Sequence, residues 1–313
     1  MYTTLYNNIV KKLSKNDLLA KYNEKNSILL TIYIQGISVL DKVFHLLTEE
    51  YSLILATTQE DFQAVKEVRS DVFVHRYAKY PDLKRAKWFL FSQDDEQAFI
   101  YLLQHNTTKK YVGSVRVFFI NEHTPVQNMP MQRDGKVEGI EHLTKDLPIC
   151  EISRLALIKT IPEHKDFSMT QLRTLLSMAL MSATRINFFL YHYSRIFAIM
   201  ERSLHRILKR QSVAFEPIGD AVDYYGVRFP FVIKKEDFLI AGEKTEGTMG
   251  QLTRHYLKEL CRNPESFWQF IDNNPYLERS DIHLDRICQL FKEHGNDVNL
   301  SILLEDQKVD LTT

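Results

Sequence analysis

The chain has 313 residues, 44% of them hydrophobic and 26% charged, enough apolar material for one sizeable core and too little charge for a disordered chain. Forty basic and forty acidic side chains cancel, which removes a global field for nucleic acid, so no nucleic-acid partner is expected. The three cysteines, Cys150, Cys261 and Cys288, are odd in number, far apart and without CxxC or Cys/His ligand spacing, so no metal site and a reducing, cytoplasmic location are expected.

The start, MYTTLYNNIVKKLSKN, lacks the basic, apolar and small-residue order of a signal peptide. Residues 1 to 50 read as a helical N-terminal extension, with Leu13, Leu18 and Leu19 on one face. Within it the apolar stretch Ile28 to Leu47 is broken by Gln35, Asp41, Lys42 and His45, which predicts an amphipathic helix and leaves open a peripheral membrane contact, not a span. Tyr51 to Thr57 predicts a strand, and Thr58 and Asp61 then form a capping box for a helix carrying Phe62, Val65 and Val68 at helical spacing. Residues 72 to 97 are irregular, contain Pro81 and Trp88, and end in Asp94, Asp95 and Glu96.

Phe99 to Leu103 and Tyr111 to Ile120 are strand-like runs around a polar turn at 105–110, which predicts a hairpin. A polar loop over 121–147, with Pro125, Pro130 and Gly135, leads into a strand through Cys150 and Leu157. Residues 168 to 187 predict a helix with Leu172, Leu176, Ala179, Leu180 and Ala183 on an apolar stripe. Residues 188 to 193 predict a buried strand, and 195 to 210 a helix whose Arg202, Arg206 and Lys209, extended by Arg210, share one face. Further strand material lies in 214–219 and 222–233, and from about 245 onward the pattern is polar and helical, with Trp268 and Phe270 as anchors. Strands interleaved with helices make the fold class α+β.

Within the strand before Leu157, Glu151 and Arg154 are three residues apart. Strand neighbours at odd spacing point to opposite faces unless a bulge re-aims one. Either the pair is a strand-edge ion pair on a regular strand, or a distorted strand turns both toward one cleft. The second arrangement suits amine acylation, with a carboxylate to deprotonate an ammonium beside a cation that orders acidic groups. Cys150, with no histidine near it in sequence, reads as a buried thiol rather than an acyl-accepting nucleophile.

The order of short motifs, Val68-Arg69 to Phe73, Asp95 to Ala98, Val112-Gly113 to Arg116, then Glu151-Ile-Ser-Arg154-Leu-Ala, resembles the acyl-homoserine-lactone synthases and N-acyl amino acid synthases. It is still more similar to their exosortase (PEP-CTERM)-associated acyltransferase relatives, through Met200 to Leu208, Phe215 to Gly219 and Tyr224 to Pro230. The resemblance covers about residues 52 to 238.

It implies an N-acetyltransferase-like (GNAT) mixed central sheet flanked by helices, in a domain over 51–240 between helical extensions over 1–50 and 241–313. It also implies a bacterial acyltransferase with no bound cofactor, moving a fatty acyl group from the phosphopantetheine of acyl carrier protein to an amino-acid-like amine. Arg69, Asp95, Arg116, Glu151 and Arg154 match the polar positions around the acceptor cleft, with Phe73 beside them. Glu151 is then the candidate base, Asp95 and Arg69 position the acceptor, Arg116 and Arg154 brace the acids, and a backbone N–H near Leu155 to Leu157 holds the oxyanion. Ser92 stands where the family often has an acid, and Trp88 is the candidate for an aromatic wall.

Two features of the residues point the same way. The segment from Pro162 to Gln171 has no glycine, so a nucleotide pyrophosphate finds no close backbone approach, which favours carrier protein over coenzyme A. The cations Arg202, Arg206, Lys209 and Arg210 suit an acidic carrier protein, although a solvated helix face reads alike. Met169, Met178 and Met181 would wall an acyl tunnel or simply fill core. A homoserine-lactone signal synthase and a non-catalytic module binding acyl carrier protein or lipid are the alternatives.

Overall fold

A computed structural model describes residues 39–74, 90–124, 128–191, 193–210, 213–235, 237–238, 248–295 and 298. Its frame is a sheet of β1 (Tyr51–Leu55), β2 (Phe99–His105), β3 (Tyr111–Ile120), β4 (Ile149–Leu157), β5 (Arg195–Met200), β6 (Glu216–Pro217), β7 (Val222–Asp223) and β8 (Val227–Lys234). The order is β1-β2-β3-β4-β5-β8-β6, with β7 paired to β8. Every pairing is antiparallel except β4 with β5, which is parallel and joins only Ile149 to Glu151 with Arg195 to Phe197. Beyond Glu151 the two strands part, leaving a gap in the middle of the sheet. This splayed mixed sheet, helices on both faces, is the N-acetyltransferase-like arrangement that the motif order implied.

Helix α1 (Gln59–Arg69) starts at the predicted box, where Thr58 Oγ1 accepts from Asp61 N and Asp61 Oδ2 accepts from Thr58 N at 3.0 Å. It packs on the face that carries Arg116. The other face receives α2 (Met169–Leu190), capped by Ser168 and Gln171: Tyr101 donates to Asn187 Oδ1 at 3.0 Å, and Leu180 lies against Gly113. A Cβ on Gly113 would sit 2.7 Å from Leu157 Cδ2, 2.9 Å from Leu180 Cδ1 and 3.0 Å from the Ala156 carbonyl oxygen. Gly113→Ala is expected to cost about 1–2 kcal/mol in denaturant unfolding, because the leucine ends yield but the carbonyl does not.

Besides one-turn helices at Gln93–Glu96 and Pro130–Arg133, the described residues also form α3 (Arg202–Arg210), α4 (Thr248–Arg262), α5 (Glu265–Asp272) and α6 (Leu284–His294). Phe267 and Phe270 of α5 pack on Phe99 with ring centroids 6.1 and 5.0 Å away, so Phe267 joins Phe270 as the anchor. Trp268 is half-buried, packs against the core beside Phe267 and lies under the Arg279 guanidinium. The core runs without interruption from Val43 through the strands to Phe291. Residues 39–50 are helical, while the rest of the N-terminal extension, Trp88 and 241–247 lie outside the described residues. Among the described residues no helix is long and apolar enough to cross a membrane.

Three expectations are corrected. Residues 188–190 continue α2 instead of forming a strand: this end of the helix is wedged between the sheet and α4, and a helix buried all round has the same apolar run as a buried strand. The expected helix over 195–210 is β5 followed by α3, because parallel pairing with β4 captures Arg195 to Phe197. Cys261 of α4 and Cys288 of α6 are joined in a disulfide with Cα atoms 5.1 Å apart; helix packing closes a separation of 27 residues that no local spacing signals. Cys150 stays free and buried.

Candidate functional site

A cleft of about 550 Å³ opens where β4 and β5 part. Its key is the shape of β4. Ser114 pairs with Ala156 but Arg116 with Ser153, so β4 carries one residue more than β3 over this stretch. The extra residue is a bulge, and Arg154 within it holds a left-handed φ of 56°, a conformation that costs a non-glycine residue free energy and that clusters at functional sites. The bulge shifts the alternation of the strand, and both Glu151 and Arg154 line the cleft.

Glu151 is buried, and its Oε2 accepts from the backbone N–H of Met131 at 2.8 Å, in the one-turn helix Pro130–Arg133. Burial pushes its carboxyl up to about 7, against Arg116, the Met131 N–H and Arg154, which favour the anion. A carboxyl titrating near neutrality is poised to accept a proton. Burial and the neighbouring Glu151 push the Cys150 thiol well above its ordinary range, so it stays protonated.

Behind Glu151 lies a buried ion network. Asp95 Oδ1 meets Arg69 Nη1 at 2.9 Å and Arg116 Nη1 at 3.4 Å, and Arg69 and Asp95 have no side-chain exposure. Asp95 Oδ2 accepts from Ser92 N at 2.8 Å and Ser92 Oγ at 3.1 Å. Arg69 Nη1 also donates to the Leu90 carbonyl at 3.0 Å, Arg116 Nε to Ser153 Oγ at 3.0 Å, and Arg133 Nη2 to Asp94 Oδ2 at 2.6 Å. Burial opposes ionisation of Asp95, but Arg69 and Arg116 overcome it and hold the carboxyl down at about 2. Burial outweighs the Asp95 carboxylate at Arg69 and lowers it to about 10, still charged at neutral pH.

Of the residues singled out in the sequence, Glu151, Arg154, Arg116, Phe73, Leu155 and Leu157 line the cleft. Phe73 arrives on the π-helical turn Ser70–Val74 that ends α1, whose Asp71 accepts from Lys159 N at 2.7 Å. Arg69 and Asp95 do not line it. Met178 and Met181 do, whereas Met169 is partly exposed outside it. Arg202, Arg206 and Lys209 are exposed on α3, Arg202 stacked 4.2 Å over Phe229; the side chain of Arg210 lies outside the described residues. The same helix turns Leu204, Ile207 and Leu208 into the cleft.

Sequence reasoning missed three contributors. Tyr224, in the β7–β8 turn closed by Gly226 N donating to Asp223 Oδ1 at 3.0 Å, lines the cleft. Burial raises its hydroxyl to about 12, partly countered by Arg154, so it is a neutral donor. Arg228 Nη1 pairs with Glu201 Oε1 at 2.6 Å on the cleft wall. Arg173 donates to the carbonyls of Ile158 at 2.8 Å and Leu157 at 3.1 Å, tying α2 to the end of β4. Tyr224 and Arg228 stood in the Tyr224-to-Pro230 motif and beside an aromatic-glycine turn, but neither signal gave them a role in the site.

No protein-family model matches the chain, and no curated protein does. Among solved structures the chain is similar to FeeM, an N-acyl amino acid synthase from uncultured soil microbes, at 12% identity over 61% of this chain and 94% of that one, with a TM-score of 0.40. It is similar to BjaI, a CoA-dependent acyl-homoserine lactone synthase, at 17% identity over 64% and 90% of the two chains, TM-score 0.40. A putative N-acetyltransferase from Lactobacillus plantarum aligns at 13% identity over 59% and 99%, TM-score 0.37. At these values the likeness concerns the outline of the chain, and the chemistry rests on the residues of the cleft.

Proposed function

We propose that the protein is an N-acyltransferase that moves a fatty acyl group from the phosphopantetheine of acyl carrier protein to the amine of an amino acid or related acceptor. The observation that carries this reading is the buried Glu151, raised to about 7 in a cleft that also receives Arg154 across a strand bulge. Glu151 takes a proton from the acceptor ammonium. The freed amine attacks the thioester carbon directly, the C–N bond forms, the C–S bond breaks with the pair leaving on the phosphopantetheine sulfur, and the proton the nitrogen sheds as the amide forms passes to that thiolate. Pairing with β5 stops at Glu151, so the stretch of β4 beyond that residue leaves the β4–β5 ladder, and a backbone N–H near Leu155 to Leu157 stabilises the oxyanion.

Asp95 and Arg69, both without exposure, are positioning residues: they hold Arg116, which with Arg154 and Phe73 faces the acceptor. The glycine-free segment before α2 supports a carrier-protein donor over coenzyme A, as do the exposed cations of α3 beside the cleft. A carrier-protein donor carries with it the proposal of a cytoplasmic location. Arg206→Glu with Lys209→Glu is expected to raise the KM for acyl carrier protein about tenfold at low salt, with kcat unchanged, in steady-state assays.

Mass spectrometry of lipid extracts from cells expressing the wild type, beside cells expressing Glu151→Gln, tests the function. N-acyl amino acids present only with the wild type are expected and would name acceptor and chain length. A lactone product would instead mark a signal synthase, and identical extracts a binding module.

A further inference from the structure

The cleft passes through the sheet rather than along one face of it. Glu151 and Ser153 lie opposite Phe118 and Arg116 on the α1 side, and Ile152 opposite Val117 on the α2 side. The cleft is lined from both sides, by Phe73, Arg116 and Glu151 on the first and by Met178 and Met181 of α2 on the second. Its lining reaches solvent at Ile207, 41% exposed, at the Glu201 side chain, 39% exposed, and at Thr170 and Thr174 of α2. Among the described residues the lining is buried at Met181, Phe215 and Met249, Met249 at 6% exposure, and these make its deep wall.

Met249 comes from the first turn of α4, beyond the 52–238 stretch that carries the motif resemblance. Its place is fixed by α4 lying on α2. Thr253, one turn on and fully buried, donates its hydroxyl to the Met249 carbonyl at 2.8 Å and reaches the Ser182 carbonyl of α2 at 3.5 Å.

We propose that Met249, with Met178 and Met181, forms the closed end of an acyl chamber and sets the length of chain the protein accepts, making the C-terminal helix its specificity element. This rests on the acyl-transfer reading of the cleft. Methionine suits the role because its unbranched thioether fits against a flexible chain end, and its volume decides where that end stops. A hydrophobic pocket discriminates about tenfold or more per methylene when its end wall is closed.

The test is calorimetric binding of saturated S-acyl-pantetheines, graded in two-carbon steps, to the full chain and to Met249→Ala, Met249→Trp and Met249→Leu. The alanine variant is expected to move the tightest-bound chain to a longer step and the tryptophan variant to a shorter one. The wild-type optimum should lose about tenfold in affinity against Trp, while the leucine variant keeps it. An unchanged optimum in the alanine and tryptophan variants overturns the proposal, as does a wild type that binds none of the ladder. If tryptophan prevents folding, the alanine variant, which only removes atoms, decides alone. Binding needs no turnover, so a shifted optimum without any acylated product would sink the transferase reading and leave the chamber standing, and product without a shift would do the reverse.

Discussion

Glu151→Gln is expected to lower kcat by about 10²–10⁴-fold, the usual worth of a general base, without unfolding the chain. Gln keeps the shape and an acceptor for the Met131 N–H but cannot take a proton. For the wild type, kcat/KM should climb tenfold per pH unit on the acid side and level off above about 7, where the buried carboxyl ionises. The same residue makes a stability signature with a definite sign. Its pKa is raised in the folded state from the ordinary 4.5 to about 7, so its contribution is fully present below about 4.5 and is lost as pH rises through 7. The loss amounts to roughly 3 kcal/mol. Glu151→Gln should therefore melt about 5 °C or more above the wild type at pH 8 and close to it at pH 4. Coincident melting curves at both pH values, or an active variant, would remove Glu151 as a buried base.

Asp95→Ala should have the largest effect on stability, about 3–5 kcal/mol in denaturant unfolding, because it strands the Arg69 and Arg116 guanidinium groups in the interior. Asp95→Asn keeps the bulk and a hydrogen-bonding oxygen for Ser92 but not the charge, and should fall between. Here the sign with pH is opposite to that of Glu151. The folded carboxyl titrates at about 2 against an ordinary 3.8, so its stabilisation is present above about 4 and is lost as the pH falls toward 2, by roughly 2 kcal/mol. Asp95→Asn should lack that acid limb. If Asp95 acted only on the acceptor, its loss would change KM and leave the unfolding midpoint in place.

The two carboxylates show how far the residues alone carry. The order of Arg69, Asp95, Arg116, Glu151 and Arg154 is visible in one dimension, yet it cannot say which of them face substrate. All three are buried, yet Glu151 lines the cleft and Asp95 and Arg69 do not, because α1 and the one-turn helix at Gln93–Glu96 cover one part of the sheet face while the β4–β5 gap leaves the other open. The end of α2 was misread for a related reason: Phe188, Phe189 and Leu190 are buried on every side, so periodicity, the one signal that separates helix from strand, is erased there.

Local chemistry determined what depends on near neighbours. The Thr58–Asp61 capping box, the β2–β3 hairpin and the apolar stripe of α2 each follow from residues within a few positions of one another, and all are legible in the sequence. The odd spacing of Glu151 and Arg154 left two geometries open, and pairing with β3, which forces a bulge and a left-handed Arg154, selected one. Only the tertiary structure could bring Cys261 to Cys288, Tyr224 and Met249 to the cleft, and Arg228 to Glu201. Those contacts join segments whose separation in sequence carries no periodic signal, and packing of whole helices and strands against one another decides them.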